Sequence, residues 1–254
     1  MHCSGTSATA RLVNLLGIDL GPPEVGAPAR RSNTRGLWEH PELTALGERI
    51  LQALGGSWSA PPPLEPGWHR AAVLEPHRET ASRLVRSTFG SSPSWGWKDP
   101  RNCLLVPFWE DLLGPLQHVI CIRDPRDVAS SLERRDGMTK DQATELWVRY
   151  TTAVLVATEK CPRIIICFED LWSGPAALSR LAGFLGRPEA AEAPEFRAAV
   201  AGWLDRSLWH HRAGAGLPPV GDHDDAGQLY VQLRDTSRGR PAEPSEYPPP
   251  PHSS

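Results

Sequence analysis

The stretch from Gln117 to Leu132 most narrows what this chain can fold into. Val119-Ile120-Cys121-Ile122 is an unbroken apolar run that ends at Arg123 and is followed at once by Asp124-Pro125. A strand with one wet face would alternate, so a continuous run of this length suits a strand buried on both faces, as in a parallel sheet. Asp124 is a good N-cap and Pro125 a good first helical residue, which predicts a helix starting there. Arg163-Ile164-Ile165-Ile166-Cys167-Phe168 is a second run of the same kind, leading into Glu169-Asp170-Leu171. Between the runs, Thr139-x-x-Gln142 has the spacing of a capping box and opens a helix carrying Trp147, Tyr150 and Val154. Buried strands alternating with helices predict an α/β domain, its central parallel sheet flanked by helices.

Apolar periodicity places further helices at 4–17, 43–54, 75–89, about 104–113 and 176–185, with a short one at 228–233. Gly17, Gly90 and Gly186 stop three of them. Residues 21–36, 57–66 and 214–221 read as loops rich in Gly and Pro. Residues 1–236 then form one domain, and 237–254, rich in Pro, Ser and Glu, are expected to stay disordered because they cannot bury enough apolar surface. No internal repeat is present.

Charge excludes some functions. With 27 Lys and Arg against 30 Asp and Glu, the formal net charge is −3, so no global basic field suits nucleic acid or an anionic membrane surface. Any anion must be held locally. No run of 18 or more apolar residues and no basic-then-apolar leader is present, so the expectation is a cytoplasmic protein with no membrane span. The five cysteines form no CxxC pair, which fits reduced thiols, and His210-His211 has no partner at ligand spacing, so no metal is expected.

Three stretches carry chemistry. Ser4-Gly5-Thr6-Ser7 opens the first helix, and uncapped N–H groups at the positive end of a helix dipole make a seat for an oxyanion. Ser94-Trp95-Gly96-Trp97-Lys98-Asp99-Pro100-Arg101 reads as an aromatic strand ending in two cations and a carboxylate, at the end of a sheet where sites form. In the third, Arg123 and Ser131 stand eight positions apart across the start of the Asp124-capped helix. Each has an ordinary alternative. Arg123 can pair with Asp124 or Asp127, Ser131 can face solvent, and Lys98 and Arg101 can pair with Asp99 and Glu110. Trp38, Trp95, Trp97 and Trp109 can simply pack, and Glu169 and Asp170 read as caps of the element after the second strand.

With these stretches in view, the chain resembles the sulfotransferases that use 3′-phosphoadenylyl sulfate, particularly their bacterial branch. The matching pieces are Met1–Ser7, Gly36–Glu39, Trp95–Arg101, Ile122–Ser131 and Phe168–Leu171, in the family's order over roughly residues 1–210. The resemblance implies a three-layer P-loop-like α/β fold. It implies that Cys3, Ser4, Gly5, Thr6 and Ser7 wrap the 5′-phosphosulfate, and that Arg123 and Ser131 hold the 3′-phosphate. It also implies transfer of a sulfuryl group to a hydroxyl or amine of a small-molecule, glycan or lipid acceptor, with no metal. Glu39 is then the first candidate for general base, with His40 and Asp99 behind it, and Lys98 is a candidate cation at the transferring group.

Two departures qualify this expectation. Where the family carries Lys or Arg before Ser-Gly-Thr, this chain has Cys3, and a missing donor at an oxyanion is worth on the order of 3 kcal/mol. The family's loop also follows a buried central strand, whereas this sequence opens at the loop, so a truncated start or a sheet with a central gap is expected. A second reading follows from Cys3: a degenerate member that binds nucleotide or acceptor without transfer. A third, a small-molecule P-loop kinase, lacks the Gly-Lys-Ser/Thr that would follow the loop.

Overall fold

The computed structural model of the chain describes residues 1–22, 25, 36–204 and 225–239. The two apolar runs form β1 (His118–Ile122) and β2 (Arg163–Cys167), paired in parallel with His118 opposite Arg163 and Ile122 opposite Cys167. Period-two alternation sends Ile164 and Ile166 into one core with Leu12, Leu16, Leu181 and Phe196. Ile120, Ile122, Ile165 and Cys167 enter a second, larger core with Leu46, Phe108, Trp147 and Leu233. That double burial is why neither run alternates polar and apolar residues.

Helices cover both faces. On the first lie α1 (Thr6–Leu15), α7 (Ala176–Phe184), α8 (Pro188–Glu192) and α9 (Pro194–Trp203). On the second lie α2 (Pro41–Ala53), α3 (Glu75–Phe89), α4 (Asn102–Leu113), α5 (Pro125–Asp136), α6 (Lys140–Ala157) and α10 (Asp225–Ser237). The local signals for α5 and α6 act as anticipated. Asp124 Oδ1 accepts from the Arg126 N–H at 2.9 Å, and Thr139 and Gln142 close a reciprocal capping box.

Several expectations are corrected. The chain is mostly helical, and its sheet has two strands among the described residues rather than the wider sheet of a three-layer P-loop-like fold. Ser94–Trp97 forms no strand and, among the described residues, makes only an isolated bridge at Trp95: the Asp19 N–H donates to Ser94 O at 3.0 Å and the Gly96 N–H to Asp19 O at 2.9 Å. Among the described residues Asp19 alone offers it backbone partners, and its aromatics pack instead, Trp95 stacked on Phe89 at 4.8 Å and Trp97 edge-on to Trp109 at 4.8 Å.

The last helix is longer than anticipated, because Ala226, Leu229, Tyr230 and Leu233 extend its apolar face. Just past it, Arg238 clamps Asp170 through Nη2 at 2.5 Å, so order persists beyond the start of the anticipated tail. The loop at 214–221 and the tail from residue 240 lie outside the described residues, as does most of 21–36. Glu169 and Asp170 do not cap the 3₁₀ turn Phe168–Trp172; each carboxylate turns to another element. All five cysteines are free thiols. No helix among the described residues is long and apolar enough to cross a membrane.

Candidate active site at the ends of the strands

Parallel pairing in this register sets the residues that follow β1 and β2 side by side. The Arg123 guanidinium lies 4.7 Å from the centre of the Phe168 ring. The N-terminal loop closes over this edge: Arg123 Nη1 donates to the Cys3 carbonyl at 3.3 Å, and Phe168 packs against Gly5. Gly5 has φ +80°, and a methyl there would overlap the Phe168 ring, so only glycine satisfies both backbone and neighbour. Three further links complete the cluster. Ser7 Oγ donates to Leu37 O at 2.8 Å, and Lys98 Nζ meets Glu39 Oε1 at 2.5 Å. The Asp124 N–H donates to Glu169 Oε1 at 3.2 Å. Each of the five segments that carry the resemblance is therefore linked to at least one other.

At the loop, α1 starts with no side-chain cap and no acidic residue in its first turn, which leaves its positive end unneutralised by its own sequence. Ser4 Oγ and His2 Nε2 are buried with no hydrogen-bond partner among the described residues. Cys3 (φ +62°) and Trp38 (φ +56°) hold the left-handed conformation that L residues rarely adopt, and both sit within the cluster. Burial pushes the Cys3 thiol up, against the charges of Arg135 and Arg123 nearby. Cys3 is thus a neutral thiol, and not an activated nucleophile. Burial also holds His2 well below the usual imidazole range, reinforced by Arg135, Arg101, the terminal ammonium and Lys98.

Arg123 and Ser131 meet at the same turn of α5. Arg123 Nη2 donates to Asp127 Oδ2 at 3.1 Å, and Ser131 Oγ donates to the Asp127 carbonyl at 2.8 Å. Of the two alternatives for Arg123, pairing with Asp127 is realised, while Asp124 pairs with Arg126 at 2.6 Å. Ser131 is half-buried rather than solvent-facing.

The catalytic candidates divide. Glu39 and Lys98 are partners, their side chains 16% and 13% exposed. His40 instead belongs to the frame: Nδ1 accepts from the Leu43 N–H at 3.4 Å as the N-cap of α2, and Nε2 lies 3.3 Å from Thr88 Oγ1. Both ring nitrogens have partners, and burial lowers its basicity. Asp99 is buried beneath the site, 3.0 Å from Arg101 Nη1, and burial raises its carboxyl to about 6 despite that partner. Arg101 also holds Glu48 at 2.7 Å, whereas Glu110, its anticipated partner, binds His118 at 2.8 Å.

Arg135 and His2 were not anticipated. Arg135 lies over Trp58 at 5.5 Å, and the Trp58 ring meets His2 at a tilt with centroids 4.5 Å apart. The signal for Arg135 was available: Asp127, Ser131 and Arg135 recur every four residues, which lines them up along one side of α5. For His2 there was none, since its burial depends on the loop's tertiary position.

Lys98, Arg101, Arg123 and Arg135 each have a carboxylate partner, respectively Glu39, Asp99 with Glu48, Asp127, and Asp136. An incoming anion must displace carboxylates, not merely fill a void. Beyond Trp58 opens a groove of about 550 Å³ lined by Trp58, Met138, Gln142, Glu145 and Arg149 among others. No family model, no curated protein and no solved structure matches this chain.

Proposed function

We propose that the chain is a sulfotransferase that moves the sulfuryl group of 3′-phosphoadenylyl sulfate to a hydroxyl or amine acceptor. The observation that supports this reading is the convergence of all five resemblance segments at the C-terminal edge of the sheet, linked by Arg123 to Cys3, Phe168 to Gly5 and Lys98 to Glu39. In this reading the open N-terminus of α1 takes the phosphosulfate, and Arg123 with Ser131 takes the 3′-phosphate in exchange for Asp127.

The nucleotide supplies a sulfuryl group on an oxygen leaving group; the acceptor lone pair forms the new bond to sulfur as the bond to the phosphate oxygen breaks. Lys98 leaves Glu39 and turns to the oxygen on which charge accumulates, filling the role that Cys3 lacks. Glu39, so released, accepts the acceptor's proton. The groove beyond Trp58 adjoins the loop through the Trp58–His2 contact and is the place assigned to the acceptor.

One observation favours a second reading, nucleotide binding without transfer. Cys3 is neutral and each nearby cation is already partnered, so the scaffold can persist where the chemistry is lost. Calorimetric titration with 3′-phosphoadenosine 5′-phosphate tests what both share. Micromolar binding, weakened by about 10- to 100-fold in Arg123→Ala, is expected from the loss of charge-assisted hydrogen bonds. A folded chain that binds nothing overturns both.

A further inference from the structure

We propose that Glu110, His118 and Cys161 form a binding site for a zinc-class divalent cation at the N-terminal edge of the sheet, the end opposite the nucleotide-site cluster. One ligand atom from each residue lies within 4.8 Å of the other two. Ligands around tetrahedral zinc stand roughly 2.0–2.3 Å from the ion, so donor atoms sharing one ion lie about 3.3–3.8 Å apart, within reach of side-chain adjustments here.

Backbone pairing assembles the three from distant positions. The His118 N–H donates to the Pro162 carbonyl at 2.9 Å, the bond that begins the β1–β2 pairing, and this sets Cys161 beside His118. The Cys161 N–H is tied in turn to Thr158 O at 3.0 Å. Glu110, near the end of α4, is held by the Leu116 N–H, which donates to its Oε1 at 2.9 Å. Sheet register, a tight turn and a loop bond thus fix all three ligands before any ion arrives.

The donor set selects the metal. One imidazole nitrogen, one thiol sulfur and one carboxylate oxygen suit zinc; calcium and magnesium take oxygen alone, and copper(I) prefers sulfur-rich sites. The His118 and Glu110 side chains are 13% and 23% exposed, so solvent reaches the cluster while the protein shields most of it. Three protein ligands leave a fourth position for water. On binding, the 2.8 Å contact between His118 Nε2 and Glu110 Oε1 opens to admit the ion, and the Cys161 proton passes to solvent.

Cobalt(II) titration of the full chain is the test. A stoichiometric thiolate-to-cobalt charge-transfer band with tetrahedral d–d bands is expected, displaced by zinc. The band should be lost in Cys161→Ser, weakened at least tenfold in His118→Ala, and retained in Cys103→Ser. No band at millimolar cobalt, or a band that survives Cys161→Ser, overturns the site. A second measurement uses no variant: zinc should protect Cys161, and not Cys103, from thiol alkylation followed by mass spectrometry, and equal labelling with and without zinc also overturns the site.

Discussion

Lys98 Nζ and Glu39 Oε1 stand 2.5 Å apart, so the candidate cation and the candidate base of this chain neutralise one another. The pair is only partly exposed, which makes each partner costly to leave alone. Lys98→Met and Glu39→Gln should each destabilise the fold by about 1–3 kcal/mol. The double variant should recover part of the summed loss, as urea unfolding of all four proteins would reveal. Strict additivity would mean that the two side chains do not interact in solution.

Asp99 makes stability depend on pH. Its folded carboxyl, at about 6, lies above the ordinary value of 3.8, so the native state binds this proton more tightly than the unfolded chain. The associated stabilisation is complete below pH ~4 and is lost as pH rises through ~6, roughly 3 kcal/mol in all. Compared with Asp99→Asn, the native protein should lose that amount between those limits in chemical denaturation. Parallel pH profiles would show that Asp99 titrates normally.

Gly5 and Phe168 should be coupled. Gly5→Ala places a methyl at φ +80° and against the Phe168 ring, and it should cost about 2–5 kcal/mol. With Phe168→Ala in the background the steric part disappears, leaving about 1–2 kcal/mol of backbone strain. Thermal melts of the four proteins distinguish this from a pure backbone effect, in which the cost would be the same in both backgrounds.

Cys3→Arg separates the two functional readings. If the loop lacks only a cation, sulfuryl transfer to a panel of phenol, sugar and amine acceptors should rise by about a hundredfold. A variant that binds 3′-phosphoadenosine 5′-phosphate as the native chain does, with no gain in transfer, would favour the binding-only reading.

The local elements were legible because their causes are local. Asp124-Pro125 starts α5, Thr139 and Gln142 cap α6, and two unbroken apolar runs mark strands with both faces covered. Arg123 and Ser131, eight positions apart, both bond to Asp127 in the folded chain, a shared partner that their spacing alone did not name. Other features were settled by neighbours far away in the chain. Ser94–Trp97 has the composition of a strand yet gains no ladder, because a strand exists only where another backbone offers donors and acceptors. His40 takes the N-cap of α2, a role its sequence neighbours did not announce. The partnering of every nearby cation, the burial of His2, and the meeting of Glu110 with His118 and Cys161 all depend on contacts between elements. Periodicity and capping operate over a few residues, so the linear order of amino acids carries them; electrostatic partnership and donor geometry are set by distances that exist only after the chain has folded.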